Sequence, residues 1–476
     1  MSENMSDNRG HFSSRIGFIL AATGSAVGIG NMVGFPVAAT KNGGGAFLVI
    51  YALFVAFLCI PIMLAEMGLG RRTQSDPQGA YVGIAGAASK WRFAGWLAVI
   101  TPFMIGVFYM VVTVWILGYL VLSLTGGLST IADPNYFGTF INSKLVFVYL
   151  IAVAALIYAI LVMGVRNGIE FAARIMMPAL FIMLLLMVVF VLSLENSFAG
   201  VKFYIVPDFS AINGTVISGA LSQAFFSLSL GMGILITYGS YLRKHDDLIG
   251  SAKLVAIADS LVAFTAGLMV LPAIFHFDPN TNPSDLSDSS VAMIFTFLPK
   301  IFMALEGSIG YIGASAVASL FFLLVFFAAI TSLVSIIEVP TATLVRKYNI
   351  SRKKALGTLA LTMGVLTLIA TASFGMLDHF TNFVSYGGKS KSFFDLIEDV
   401  FYQTVLPFNG LLICLFVVWH WRQDKFNNSL ADGNSKYMGS LLQKYINFSL
   451  RTFIPVILAA VFINTVLDIY FDAALF

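Results

Sequence analysis

Residues 24–36 read Gly24-Ser25-Ala26-Val27-Gly28-Ile29-Gly30-Asn31-Met32-Val33-Gly34-Phe35-Pro36, in the middle of an apolar run that extends from 15 to 40. Glycine disfavours helix and proline lacks a backbone donor, so the stretch predicts a helix that breaks midway. The run 214–242 carries a comparable interruption, Gln223-Ala224-Phe225-Phe226-Ser227-Leu228-Ser229-Leu230-Gly231-Met232-Gly233. Within a bilayer, unwound backbone survives only where it lines a cavity or binds an ion. Small residues also let neighbouring helices approach closely, which is the plainer reading of either stretch alone. Paired interruptions in corresponding halves point instead to a transport site, and these two runs stand five apart in order, as a repeated and inverted set of five would place them.

The composition agrees with burial in lipid. Of 476 residues, 58% are hydrophobic and 11% charged, against roughly 25% charged in an ordinary soluble domain. A soluble enzyme is excluded. The net charge of +3 offers no field for a polyanion, so no nucleic-acid partner is expected. Apolar runs near 15–40, 44–69, 94–124, 145–165, 171–195, 214–242, 251–276, 313–345, 355–374, 395–421 and 450–474 are each close to the length needed to cross a bilayer. The expected fold is an all-α integral membrane protein of eleven transmembrane helices, a 5+5 inverted repeat with broken first and sixth helices. Its expected divisions are a cytoplasmic segment 1–12, a first repeat 13–195, a second repeat 196–421 containing an outer loop 277–312, and a cytoplasmic loop with the eleventh helix, 422–476.

With the N-terminus cytoplasmic, only Lys41, Lys144, Lys202, Lys300, Lys389 and Lys391 of the 27 lysines and arginines fall on the outer side. The positive-inside rule therefore orients the chain with its C-terminus outside, in a plasma (inner) membrane. The first apolar run lacks a small-residue cleavage site and is expected to remain as the first span. Residues 291–305, too short to cross, read as a re-entrant or surface helix and a candidate lid. Cys59 and Cys414 lie inside apolar runs and read as packing residues. His11, His245, His276, His379 and His420 lack metal-ligand spacing.

The eighth run contains Phe326-Phe327-Ala328-Ala329-Ile330-Thr331-Ser332-Leu333-Val334-Ser335. Hydroxyls in a buried helix often bond back to their own carbonyls. Beside two broken helices they have a second use, because sodium is a hard cation that takes oxygen ligands.

These stretches, with Arg15 to Leu20, Asn42-Gly43-Gly44-Gly45-Ala46-Phe47 and Glu66-Met67-Gly68-Leu69-Gly70-Arg71, resemble the neurotransmitter:sodium symporter family, most closely its bacterial amino-acid members such as the leucine transporter. The resemblance runs from about residue 9 to 421, with a weaker tail. It implies two sodium sites. The first would use the carbonyl of Ala26, the side chain of Asn31, the hydroxyl of Ser227, a seventh-span residue and the substrate carboxylate. The second would use carbonyls of Gly24, Val27 and Ala328 and hydroxyls of Thr331 and Ser332. Tyr109 and the amides of Ile29 and Gly30 would hold the substrate carboxylate, and carbonyls of Ala26 and Phe226 with Ser229 the amino group. Ile105, Tyr109, Phe226, Met232 and Ile336 would form the walls, with Ser332 nearby and Phe226 as an outer lid. Freed amides at the positive end of a half-helix attract an anion, and freed carbonyls attract cations. Gly28 occupies the position where monoamine-carrying relatives have an aspartate, which favours a zwitterion that brings its own carboxylate.

Asp259 lies within the seventh apolar run, where a charge is costly and functional by default. Anchoring that run on Gly267 puts Asp259 at the family's sodium-binding asparagine position; anchoring on Pro272 puts Ala258 there and leaves Val262 where some bacterial members have a glutamate. The glycine anchor completes the first site, and Asp259 then supplies the negative charge that chloride provides in animal relatives, so chloride is not expected. Glu66 stands near the broken helices, and Glu338 has no assignment. The gates depart from the family pattern. Gly34 replaces the first-span arginine of the outer ion pair, leaving Asp395, Glu398 or Asp399 to find Lys389 or Lys391. At the inner end Arg9, Phe12 and Tyr241 match gating positions, whereas the expected eighth-span aspartate is Arg346.

The expected function is a sodium-coupled symporter taking up a small hydrophobic amino acid by alternating access, with the lipid bilayer and sodium ions as its other partners. Two other readings stay open: a symporter of another zwitterion such as betaine or taurine, and a non-transporting amino-acid sensor. An enzyme is not expected, since the spans hold no nucleophile-base or metal constellation.

Overall fold

The computed structural model describes residues 10–277, 291 and 293–473. Arg9 and residues 278–290 of the outer loop lie outside them. Several helix starts fall where a side chain takes a free backbone N–H. Ser14 accepts from the Gly17 amide and opens the first helix at Arg15. Asn213 opens Gly214–Ser227 and Ser351 opens Arg352–Ala372 in the same way.

Nine helices among the described residues are long and apolar enough to cross a membrane: Gly45–Thr73, Arg92–Leu124, Leu145–Val162, Val165–Leu192, Leu248–His276, Glu306–Tyr348, Arg352–Ala372, Phe393–Ala431 and Leu441–Phe471. Arg15–Ala26 and Gly30–Lys41 form a tenth, bent by 58° at a short break. The sixth run lies in two short pieces, Gly214–Ser227 and Ile234–Ser240. The count of eleven rests on taking those pieces as one crossing.

The break in the first helix falls at Val27–Ile29, within the glycine-rich stretch. Pro36 stands inside the resumed helix Gly30–Lys41, just after the π-helical stretch Gly30–Gly34 gives way to α-helix at Phe35. The stretch Glu306–Tyr348 is kinked at Gly310, where φ is 72° and ψ 165°, so a short leading turn precedes the eighth helix proper, which starts close to the expected 313. Its apolar window is 83% buried, against 17% for the last helix. The eighth helix therefore runs through the middle of the bundle and the last one faces lipid. Met293–Ala304 is a short apolar helix docked on the third: Phe295 lies edge-on to Trp115 and Tyr119, and its carbonyl accepts from the Tyr119 hydroxyl at 3.0 Å.

One element has no counterpart in the sequence reading. Strands β1, Val384–Tyr386, and β2, Lys389–Lys391, pair antiparallel ahead of the tenth helix. Gly387 and Gly388 both take positive φ between them, as a tight two-residue hairpin turn requires.

Candidate functional site

The two breaks face one another. In the sixth run the chain leaves the helix at Leu228 and passes Ser229, Gly231 and Gly233 at φ 53°, 79° and 67° before resuming at Ile234. A Cβ on residue 231 would lie 2.4 Å from the Leu406 carbonyl oxygen, so both conformation and contact demand glycine there. Its amide donates to Glu66 Oε1 at 2.7 Å and its carbonyl accepts from Asn409 Nδ2 at 2.9 Å. Glu66 and Asn409 thus satisfy backbone groups that unwinding frees. Across the gap, Ser229 Oγ donates to the Ser25 carbonyl at 3.1 Å and Gln223 Nε2 to the Gly30 carbonyl at 3.3 Å.

One polar cluster joins the first break to the sixth and seventh helices. Asn31 Nδ2 donates to Asp259 Oδ1 at 2.8 Å and to Ser227 Oγ at 2.9 Å, and Ser227 Oγ donates to Asp259 Oδ2 at 2.6 Å. The Tyr51 hydroxyl reaches Ser227 at 3.2 Å. Asn31 Oδ1 accepts from the Gly28 amide at 3.2 Å. Asp259 is fully buried, and every hydrogen bond to it comes from a neutral donor, which leaves its charge uncompensated by any cation in this cluster.

A second cluster lies between the first and eighth helices. Ser332 Oγ stands 3.4, 3.1 and 3.3 Å from the carbonyl oxygens of Gly24, Ser25 and Val27. Thr331 Oγ1 donates back to the Phe327 and Ala328 carbonyls at 3.0 and 3.1 Å, the local bonding open to any helical hydroxyl. Ser332 Oγ thus meets three carbonyl oxygens beside the first break, oxygens of the kind a hard cation takes.

Between the clusters is a cavity of about 50 Å³ lined by Ala26, Gly30, Ile105, Tyr109, Phe226, Ser227, Ser229, Met232, Ser332 and Ile336. Ser25, Gly28, Asn31, Gln223 and Tyr402 complete its wall. Ile29 contributes through its backbone, its amide donating to the Tyr109 hydroxyl at 3.0 Å. A Cβ on residue 28 would fall 2.6 Å from that hydroxyl and 2.8 Å from Ser332 Oγ, so an acidic side chain there would have to displace both. Phe226 stacks on Tyr402, with ring centroids 4.7 Å apart.

The model of the sodium:neurotransmitter symporter family matches residues 9–136 and 140–473. The chain belongs to the sodium:neurotransmitter symporter family. It is 33% identical over 469 residues to the uncharacterized sodium-dependent transporter YhdH of Bacillus subtilis, covering 96% of this chain and 97% of that one. It is 34% identical over 435 residues to a sodium-dependent transporter of Methanocaldococcus jannaschii, covering 88% and 83%. Among solved structures, that of MhsT in complex with L-phenylalanine superposes with a TM-score of 0.80 at 35% identity, over 96% of this chain and 99% of that one. As a member of the family it is a multi-span, sodium-dependent transporter.

Ion pairs stand at both ends of the bundle. At the end nearest the N-terminus, Phe12 is buried edge-on against Phe18, Tyr238 and Tyr241. The Tyr241 hydroxyl donates to Glu338 Oε1 at 2.6 Å, and Arg352 pairs with the same carboxylate. Glu338, without a role in the sequence, thus joins the sixth, eighth and ninth helices. Arg346 pairs with Asp76 and donates to Gln78 Oε1 at 2.5 Å, tying the eighth helix to the short helix Pro77–Ala85. At the far end, Lys391 Nζ lies 2.8 Å from Asp399 Oδ2. Burial opposes the charge on Lys391, but the hydrogen bond and charge of Asp399 outweigh it and raise its pKa above the ordinary lysine value. Gly34 offers no side chain toward this pair. Sequence reasoning missed Tyr402, Asn409, Asp76 and Arg352.

Proposed function

We propose that this transporter couples downhill sodium entry to uptake of a small apolar amino acid by alternating access. The observation that carries the reading is the convergence of two helix breaks on a cavity flanked by an Asn31–Ser227–Asp259 cluster on one side and the Gly24, Val27, Ala328, Thr331 and Ser332 oxygens on the other. The first sodium is held by the Ala26 carbonyl, Ser227, Asp259 and Asn31, whose carboxamide turns its oxygen to the ion. The second is held by the oxygens around Ser332. Asp259 supplies fixed negative charge, so transport proceeds without chloride.

The substrate's carboxylate is held by Tyr109 and the amides of Ile29 and Gly30. Its ammonium is held by carbonyls of Ala26 and Phe226 and by Ser229. Glycine at 28 leaves the site without its own carboxylate, which suits a zwitterion. Ile105, Met232, Phe226 and Ile336 line the space for the side chain, each buried methylene contributing roughly 0.8 kcal/mol. The L-phenylalanine in the MhsT structure supports an apolar amino acid here. The N-terminus is cytoplasmic and the C-terminus outside, in the plasma membrane of the cell. A potential of 100 mV then contributes about 2.3 kcal/mol for each charge moved inward.

The test is uptake into sealed vesicles reconstituted with the full chain, under an inward sodium gradient and with chloride replaced by gluconate. Accumulation of an apolar amino acid that collapses when potassium replaces sodium supports the reading. Binding without accumulation indicates a sensor, and uptake of betaine or taurine in place of amino acids changes the substrate class.

A further inference from the structure

The ion pair at the far end does not join the two halves of the molecule. Lys391 is on strand β2 and Asp399 in the first turns of the tenth helix, within one stretch of chain. The other groups on Asp399 come from the same stretch: the Tyr386 hydroxyl donates to Oδ2 at 2.8 Å, Gln403 Nε2 to Oδ1 at 3.2 Å, and Thr404 Oγ1 to the backbone carbonyl at 2.7 Å. The hairpin is braced in turn by the last helix, where Tyr470 packs on the Tyr386 ring at 5.0 Å and accepts from the Gly387 amide at 3.3 Å.

What joins the tenth helix to the third and sixth at this level is aromatic. The Tyr402 ring lies stacked on Phe226 of the sixth helix at 4.7 Å and edge-on to Phe108 of the third at 5.5 Å. It also lines the cavity. Residues 398–405 form a wide-turned π-helix, a geometry that shifts side chains around a helix and recurs at functional sites. Here it sets Tyr402 toward the cavity while Asp399 faces the hairpin.

We propose that Tyr402 is the closing element of the outer gate, bridging the third and sixth helices over the bound substrate, and that Lys391 and Asp399 are positioning residues that hold the tenth helix in the orientation that seats it. The division of labour follows from Gly34. With glycine at 34 supplying no side chain from that position of the first helix, the ion pair is retained locally as a brace and the seal is made by ring contacts. Aromatic contacts of this geometry add modest stabilisation beyond the area they bury, enough to bias closure while leaving the gate free to open. The proposal rests on the transporter reading for its orientation, and it sets which substrates fit, since the Phe226–Tyr402 stack is the roof above the side-chain space.

The test uses the full chain expressed in intact cells, with Ile105→Cys in the cavity wall as the only accessible thiol, since Cys59 and Cys414 are fully buried. The rate of labelling by a membrane-impermeant methanethiosulfonate reagent reports opening of the roof without needing the substrate's identity. Tyr402→Ala is expected to raise the rate about five- to tenfold, the factor that loss of such contacts supplies, and Tyr402→Phe, which keeps the stack, to leave it within about twofold. Lys391→Met is expected to raise it in the same direction, Lys391→Arg to restore it, and Lys391→Met added to Tyr402→Ala to change nothing further. Opening by Lys391→Met with no response to Tyr402→Ala would overturn the proposal, as would equal effects of Tyr402→Ala and Tyr402→Phe. The same measurements on inside-out vesicles separate the two readings. A Tyr402 response seen only there overturns the orientation and leaves the roof standing, whereas no response from either face overturns the roof.

Discussion

The side-chain amide of Asn31 lies 2.8 Å from Oδ1 of Asp259, joining the break in the first helix to the middle of the seventh. Ser227 at the end of the first half of the sixth helix touches both. Any movement of the first or sixth helix is therefore felt at one buried carboxylate, and a cation bound there would be sensed by three helices at once.

Replacing Asn31 by Ala removes a proposed sodium ligand and a donor to Asp259. Sodium-dependent thermal stabilisation is expected to need about tenfold more sodium, equivalent to roughly 1.4 kcal/mol of binding. An unchanged sodium midpoint, with potassium keeping ionic strength constant, would remove Asn31 from the site.

Asp259→Asn tests the fixed charge. The account expects weaker sodium affinity, or a new response to chloride as the missing negative charge is supplied from solution. Neither change, measured by the same titration with chloride against gluconate, would make Asp259 a structural residue.

Gly231→Ala places a side chain at φ 79° and 2.4 Å from the Leu406 carbonyl oxygen. Strain of this kind costs about 1–3 kcal/mol for the backbone alone. The thermal midpoint should fall clearly in both sodium and potassium. A wild-type midpoint would contradict the close packing of the sixth break on the tenth helix.

The Glu338 carboxylate is fully buried, whereas the Arg352 side chain keeps 22% of its exposure. Arg352→Met strands a buried charge and should destabilise by about 3–5 kcal/mol, whereas Glu338→Gln leaves a cation that can reach solvent and should cost less. Equal midpoints for the two variants would show that Glu338 does not depend on Arg352.

Much of the arrangement was legible because its signals are local in sequence. Glycines, Asn31 and Pro36 mark the first break within thirteen residues, and Asp259 stands out as a carboxylate in an apolar run. The register that places Asp259 beside Asn31 follows from the anchor, Gly267, that completes the ligand set the resemblance implies. The position of the break was less legible, because Pro36 reads as a breaker but lies inside the resumed helix Gly30–Lys41, next to a π-helical stretch. The partners of Arg346 and Glu338 were not legible. Asp76 lies far from Arg346 in sequence, and only packing brings them together. Tyr402 was hidden by composition: in a chain with 14% aromatic residues, one more ring in an apolar span carries no mark. The hairpin escaped notice because three-residue strands are too short for alternation to show.

The central claim is that sodium and an amino acid share one coupled site. The most direct measurement is the thermal stability of the detergent-purified protein against the common amino acids, betaine and taurine, each in sodium and in potassium. Ligand binding to the folded state raises stability by mass action. The account predicts stabilisation by one or more apolar amino acids in sodium and none in potassium. Stabilisation of equal size in both salts, or none by any amino acid in sodium, would contradict it.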